Sequence, residues 1–108
     1  SALALSGGQQ QRLCLARTLA VRPSLVLMDE PCSALDPRAT AVIESLTREL
    51  ARDYTIVIVT HNIAQARRVA DHGVFMLDGE IIDAGTRDEL LIAPRHPTVR
   101  DFVTGLVG

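Results

Sequence analysis

The chain has no lysine and no tryptophan, and aromatic residues fill only 3% of its 108 positions. All 11 basic residues are arginines, and against 13 acids they leave a formal net charge of -2. That balance excludes the basic excess expected of a nucleic-acid footprint. With aromatics scarce and 47% of residues hydrophobic, a core has to be built from Leu, Ile, Val and Ala. No apolar run approaches the ~20 residues that a membrane-crossing helix needs. Only two cysteines occur, Cys14 and Cys32, and their spacing is not that of a metal site. Cys14 falls in a helical stretch and reads as a small core residue. No internal repeat or low-complexity run is visible, and the length suits one small domain or part of a larger one.

Two stretches carry chemistry. Leu5-Ser6-Gly7-Gly8-Gln9 opens a helix expected over about Gly8 to Val21. Ser6 and Gln9 are spaced as a capping box, in which each side chain satisfies an amide near the other. Gly7 and Gly8 have no side chains, so an outside group can approach the backbone closely. The first amides of a helix, together with the positive end of its dipole, form an anion site suited to phosphate. Downstream, Leu25 to Met28 is an unbroken apolar run, which predicts a strand covered on both faces of a parallel sheet. It ends in Asp29 and Glu30, followed by Pro31. Acids at the carboxyl end of such a strand stand where open α/β sheets bind ligands. One carboxylate can hold a hydrated Mg²⁺, and its neighbour can orient and deprotonate a water.

The remaining elements follow from local signals. On the first helix Leu13, Ala16 and Ala20 are expected on one face, with Leu15 and Leu19 adjoining. Asp36 and Pro37 mark a second helix, Asp36 as N-cap and Pro37 at the first helical position. That helix is expected to about Arg52, with Ile43, Leu46 and Leu50 on its buried face. Thr55 to Thr60 is a second apolar, β-branched strand. A strand-helix-strand order implies a parallel crossover and brings His61 to the same sheet edge as Asp29 and Glu30. Asn62 caps a short helix expected to end near His72. Val74 to Leu77 and Glu80 to Asp83 flank Asp78-Gly79, a two-residue hairpin signal. Thr86 and Glu89 form another capping box, and a last helix is expected near Thr98 after a His96-Pro97 linker.

Taken in order, Leu5-Ser6-Gly7-Gly8-Gln9, Leu27-Met28-Asp29-Glu30-Pro31, Ser33-Ala34-Leu35-Asp36 and Thr60-His61 resemble four motifs of the ABC-type ATPases. These are the signature motif, the Walker B strand, the D-loop and the switch histidine, and the resemblance spans essentially the whole chain. It implies an α/β fold of the P-loop NTPase type, in part: parallel strands with crossover helices, then a β-hairpin and short helices. It further implies ATP as substrate and Mg²⁺ as cofactor. Asp29 would hold Mg²⁺ through water, Glu30 would polarise the attacking water, and His61 would support the terminal phosphate. Ser6, Gly7 and Gly8 would bind a partner subunit's γ-phosphate, with Gln9 at the helix start. Asp36 would report on the partner's nucleotide as well as cap its own helix.

Within the family, Pro31-Cys32-Ser33-Ala34-Leu35-Asp36-Pro37 and the ending Asp101 to Gly105 are most similar to the phosphate-importer ATPases. The partners so implied are a second ATPase subunit in a homodimer, membrane permease subunits and, indirectly, an extracytoplasmic phosphate-binding protein. No nucleic acid is expected, and the implied location is the cytoplasmic face of the membrane. A soluble ABC-type ATPase of DNA repair, chromosome maintenance or translation is the alternative; it would carry a long insertion or a duplicated cassette upstream.

No Gly-x-x-x-x-Gly-Lys-Ser/Thr loop occurs in these residues, nor the family's glutamine loop. The opening Ser1 to Leu5, without methionine, reads as an internal cut. Residues 1–108 are accordingly expected to be the C-terminal portion of one ABC ATPase domain. Alone they are expected to be inactive, because nothing fixes Mg²⁺-ATP in front of Glu30.

Overall fold

The computed structural model describes residues 7–105. They run α1 (Gly7–Ala20), β1 (Leu25–Asp29), α2 (Pro37–Leu50), β2 (Thr55–Val59), α3 (Ile63–Val69), β3 (His72–Leu77), β4 (Glu80–Thr86), a wide helical turn (Asp88–Ile92) and α4 (Pro97–Thr104). The chain divides into two compact units, the first ending at His61 and the second beginning at Asn62. This mixed α/β arrangement, one parallel and one antiparallel pair of strands, is compatible with a partial ABC ATPase fold.

In the first unit β1 and β2 pair in parallel, in register from Leu25 opposite Thr55 to Asp29 opposite Val59. The expected covering of both faces is not found. Val26 is buried and Met28, Ile56 and Ile58 are half-buried, but Leu25, Leu27, Val57 and Val59 on the other face are 41–64% exposed. Side chains alternate across a strand, and on the inward side the Thr47 hydroxyl of α2 lies 4.0 Å from the Met28 sulfur. Among the described residues nothing covers the outward set, and each strand keeps one unpaired edge.

α2 begins as its sequence predicts. Asp36 is extended (φ -70°, ψ 168°), and its carboxylate accepts from the Ala39 amide at 2.8 Å. Ile43 is buried, with Leu46 and Leu50 half-buried. Buried Glu44 and Thr47 on the same helix were not foreseen; the Thr47 hydroxyl donates to the Ile43 carbonyl one turn back, at 2.7 Å. α1 packs against α2, but its covered stripe follows Gln11, Leu15 and Leu19, with Leu13 also half-buried, while Ala16, Ala20 and Cys14, the last expected in the core, are exposed. Covering a leucine removes more apolar surface from water than covering an alanine, which favours the leucine-bearing side.

The second unit gathers around Leu90, Leu91 and Val99, with Ile63, Ala66, Phe75, Ile82 and Val103 against them. The Phe75 and Phe102 rings lie 5.3 Å apart at 59°, a tilted geometry favourable to aromatic pairs. Asp78 and Gly79 both take positive φ (51° and 78°), as a tight hairpin turn with matching twist requires. A register shift after Phe75 marks a bulge in β3–β4. His72, expected at a helix end, is instead the first residue of β3, because the helix stops at Val69 and the ladder extends back to Thr86.

The Thr86–Glu89 box forms, with the Glu89 amide donating to Thr86 Oγ1 at 3.2 Å and the Thr86 amide to Glu89 Oε1 at 3.4 Å. It opens the wide turn closed by the Ala93 amide on the Asp88 carbonyl, 2.8 Å. His96, expected in a solvated linker, caps α4 by accepting from the Thr98 amide at its Nδ1, 3.2 Å. Arg67 donates to the carbonyls of Leu91 and Val103, satisfying groups at two helix ends.

The Asp36 cap gives a direct test. Asp36→Ala should cost about 1 kcal/mol, whereas Asp36→Asn, which keeps an acceptor, should cost little. Amide hydrogen exchange at Ala39 and Thr40 checks this; equal protection in both variants would mean that the cap contributes nothing.

Candidate active site

The constant register of the parallel pair positions the site. Asp29 ends β1 opposite Val59, so the next residues, Glu30 and Thr60, leave the sheet side by side. The Glu30 amide extends the ladder by donating to the Val59 carbonyl at 2.7 Å. Glu30 then turns the chain with φ 45°, a left-handed conformation that a residue with a Cβ adopts at a cost of roughly 1–2 kcal/mol. Buried Pro31 follows. Two overlapping turns, Ser33 amide to Glu30 carbonyl (3.2 Å) and Leu35 amide to Cys32 carbonyl (3.1 Å), carry the chain to Asp36. Strain of this kind persists where the surroundings hold a side chain in place, and here the held side chain is a carboxylate.

Glu30 Oε1 receives two groups from one residue. The His61 amide donates to it at 2.8 Å, and the His61 ring nitrogen Nδ1 lies 2.5 Å away. An ionised carboxylate only accepts, so Nδ1 carries the proton of this bond and Nε2 is the ring nitrogen left to face outward. The His61 side chain is 96% exposed and that of Glu30 30% exposed. The hydrogen bond from the His61 ring, then those from its amide and the Thr60 side chain, hold Glu30 below the ordinary glutamate value, although partial desolvation acts the other way. Glu30 is therefore ionised at neutral pH and weakly basic, better suited to orienting and polarising a water than to removing its proton outright.

The structure thus brings Glu30 and His61 together and sets Asp29, exposed, one residue before them. Asp36 is apart from this pair, at the cap of α2. Gly7 and Gly8 are the first residues of α1 and Gln9 follows in its first turn; Ser6 lies outside the described residues. Two contributors were not foreseen. Thr60 could have been found from the register, since it is the residue opposite Glu30. Gln11, whose side-chain amide donates to the Pro31 carbonyl at 2.6 Å, had no such signal, being one of three consecutive glutamines.

Residues 1–33 match the family model described as ABC transporter. The match supports an ABC transporter ATPase domain. It takes in the glycines that open α1 and the Asp29-Glu30 strand end, whereas Asp36 and His61 come after it. ATP binding, and ATP hydrolysis coupled to transport, are the general properties that go with this domain.

The Glu30 carboxyl offers a test of the site's electrostatics. Its folded value is depressed, so the stability it contributes is full above the unfolded value and is lost as pH falls through the folded one. Carbon-13 titration of the side chain should give a midpoint below the ordinary glutamate value. His61→Ala should raise that midpoint part of the way back, because the residue-61 amide still donates. An unchanged midpoint in the variant would remove the ring from the interaction.

Proposed function

We propose that this chain is the C-terminal portion of the ATP-hydrolysing subunit of an ABC importer, and that the importer carries inorganic phosphate. One observation carries the ATPase reading: a carboxylate hydrogen-bonded to a histidine at the carboxyl ends of two parallel strands, directly after a second acid. In this reading Glu30 orients the attacking water and His61 keeps Glu30 in place through Nδ1. Nε2 of His61 then faces the terminal phosphate. Gly7 and Gly8, with Ser6 before them and Gln9 after, cradle the γ-phosphate of a nucleotide held by a second subunit, and Asp36 lies on the loop that reports on it.

Mg²⁺ is the cofactor implied. Asp29 supplies an exposed hard oxygen, of the kind used by an ion that keeps several waters and rests on one or two carboxylates plus substrate phosphates. When bound, it neutralises charge on the phosphates.

Permease subunits, a homodimeric ATPase partner and a place on the cytoplasmic face of the membrane complete the proposal. Phosphate as the cargo is supported by the Pro31 to Pro37 run and the Asp101 to Gly105 ending, which resemble those of phosphate importers.

In the full-length subunit, Glu30→Gln keeps size and hydrogen bonding but removes the negative charge. ATP should still bind, while turnover should fall by at least the ~10²–10⁴-fold typical of acid–base groups. Near-normal turnover would take Glu30 out of the mechanism. In cells, loss of the same subunit should impair uptake of inorganic phosphate; unchanged phosphate uptake with failure of another solute would refute the cargo alone.

A further inference from the structure

The hydrogen bond from Gln11 to Pro31 joins two parts of the first unit that the proposed reaction uses separately. Gln11 is in the second turn of α1, three residues after Gly8, and its half-buried side chain reaches 20 residues along the chain to a buried proline. Pro31 is covalently next to Glu30, in the segment where the backbone is in its left-handed turn. The carbonyl of Pro31 therefore leaves the sheet with the same peptide segment that aims the Glu30 side chain. Besides the turn bonds from Ser33 and Leu35, the Gln11 amide is a tie from outside this loop. Over the four residues from Gly8 to Gln11 a helix moves almost as a rigid body, spanning only ~6 Å.

We infer that Gln11 is a positioning residue that couples the glycine-rich start of α1 to the Glu30 carboxylate through the Pro31 carbonyl. The inference rests on the ATPase reading above, and adds to it a physical link between two half-sites. In that reading the α1 start serves a nucleotide held by the second subunit, while Glu30 serves the nucleotide of its own. A shift of α1 on meeting phosphate would pull on Pro31 and re-aim Glu30. Losing the bond leaves both groups present but lets the Glu30 turn relax, so the loss falls on turnover rather than on ATP affinity.

Two substitutions separate this role from packing. Gln11→Met is unbranched, of similar length and a good helix former, so it keeps the fold while removing the donor. Gln11→Lys keeps the fold and restores a donor of similar reach. In the full-length subunit, Gln11→Met should lower kcat roughly 10- to 100-fold, the scale of a misplaced catalytic group, with KM for ATP unchanged. Gln11→Lys should recover most of that loss. The nitrogen-15 resonance of Cys32, bonded directly to the Pro31 carbonyl carbon, should move in the Met variant and return toward its position in the Lys variant. Wild-type kcat in Gln11→Met, or equal impairment in both variants, overturns the coupling. A Glu30→Gln control measured alongside keeps the two ideas apart. If that control retains turnover, the ATPase role of Glu30 fails; if it is inactive beside a normal Gln11→Met, only the coupling fails.

Discussion

The in-register pairing of β1 with β2 is the constraint on which the site depends. Because the offset between the strands is constant from Leu25–Thr55 to Asp29–Val59, whatever follows Asp29 must emerge beside whatever follows Val59. Glu30 and His61 are 31 positions apart in sequence, yet they meet on one carboxylate oxygen. A slip of one residue in the register would send Glu30 and Thr60 to opposite faces. The left-handed turn at Glu30 and the buried Pro31 fix the direction in which the acid leaves the sheet.

That same pairing leaves an imbalance in the first unit. One face of the two strands carries buried Val26 and half-buried Met28, Ile56 and Ile58, while the other presents Leu25, Leu27, Val57 and Val59 to solvent. An apolar sheet face with unpaired edges is a surface that further strands or helices would cover with a gain of roughly 25 cal/mol for each Å² removed from water. The second unit is more self-contained. Its core of Leu90, Leu91 and Val99 is fastened by an aromatic pair, a capping box and the two carbonyls that Arg67 takes up.

What the sequence made legible is what short-range rules decide. Asp36 before Pro37, the Asp78-Gly79 turn and the Thr86–Glu89 box are each set by a few neighbouring residues, and each is found in place. The two strands and their acid-tipped edge were equally plain, because β-branched and aliphatic runs end at polar residues. Long-range facts were not legible. The second face of the sheet depends on what packs there, not on the apolar run itself. Burial of Glu44 and the choice of Gln11 among three glutamines depend on tertiary contacts that no local pattern encodes. The role of His96 was missed because histidine is seldom considered as a cap, although its Nδ1 can accept an amide as an Asn oxygen does. The Ser6 half of the first capping box lies outside the described residues.

Whether Glu30 and His61 act as one device is tested most directly by a double-mutant cycle on turnover in the proposed ATPase subunit, with Glu30→Gln, His61→Ala and the two combined. If the histidine works by holding the carboxylate, the combined variant should be about as slow as the slower single variant, since groups that act as a unit lose their effect together. Losses that multiply would show two independent contributions and contradict the pairing as the basis of the site.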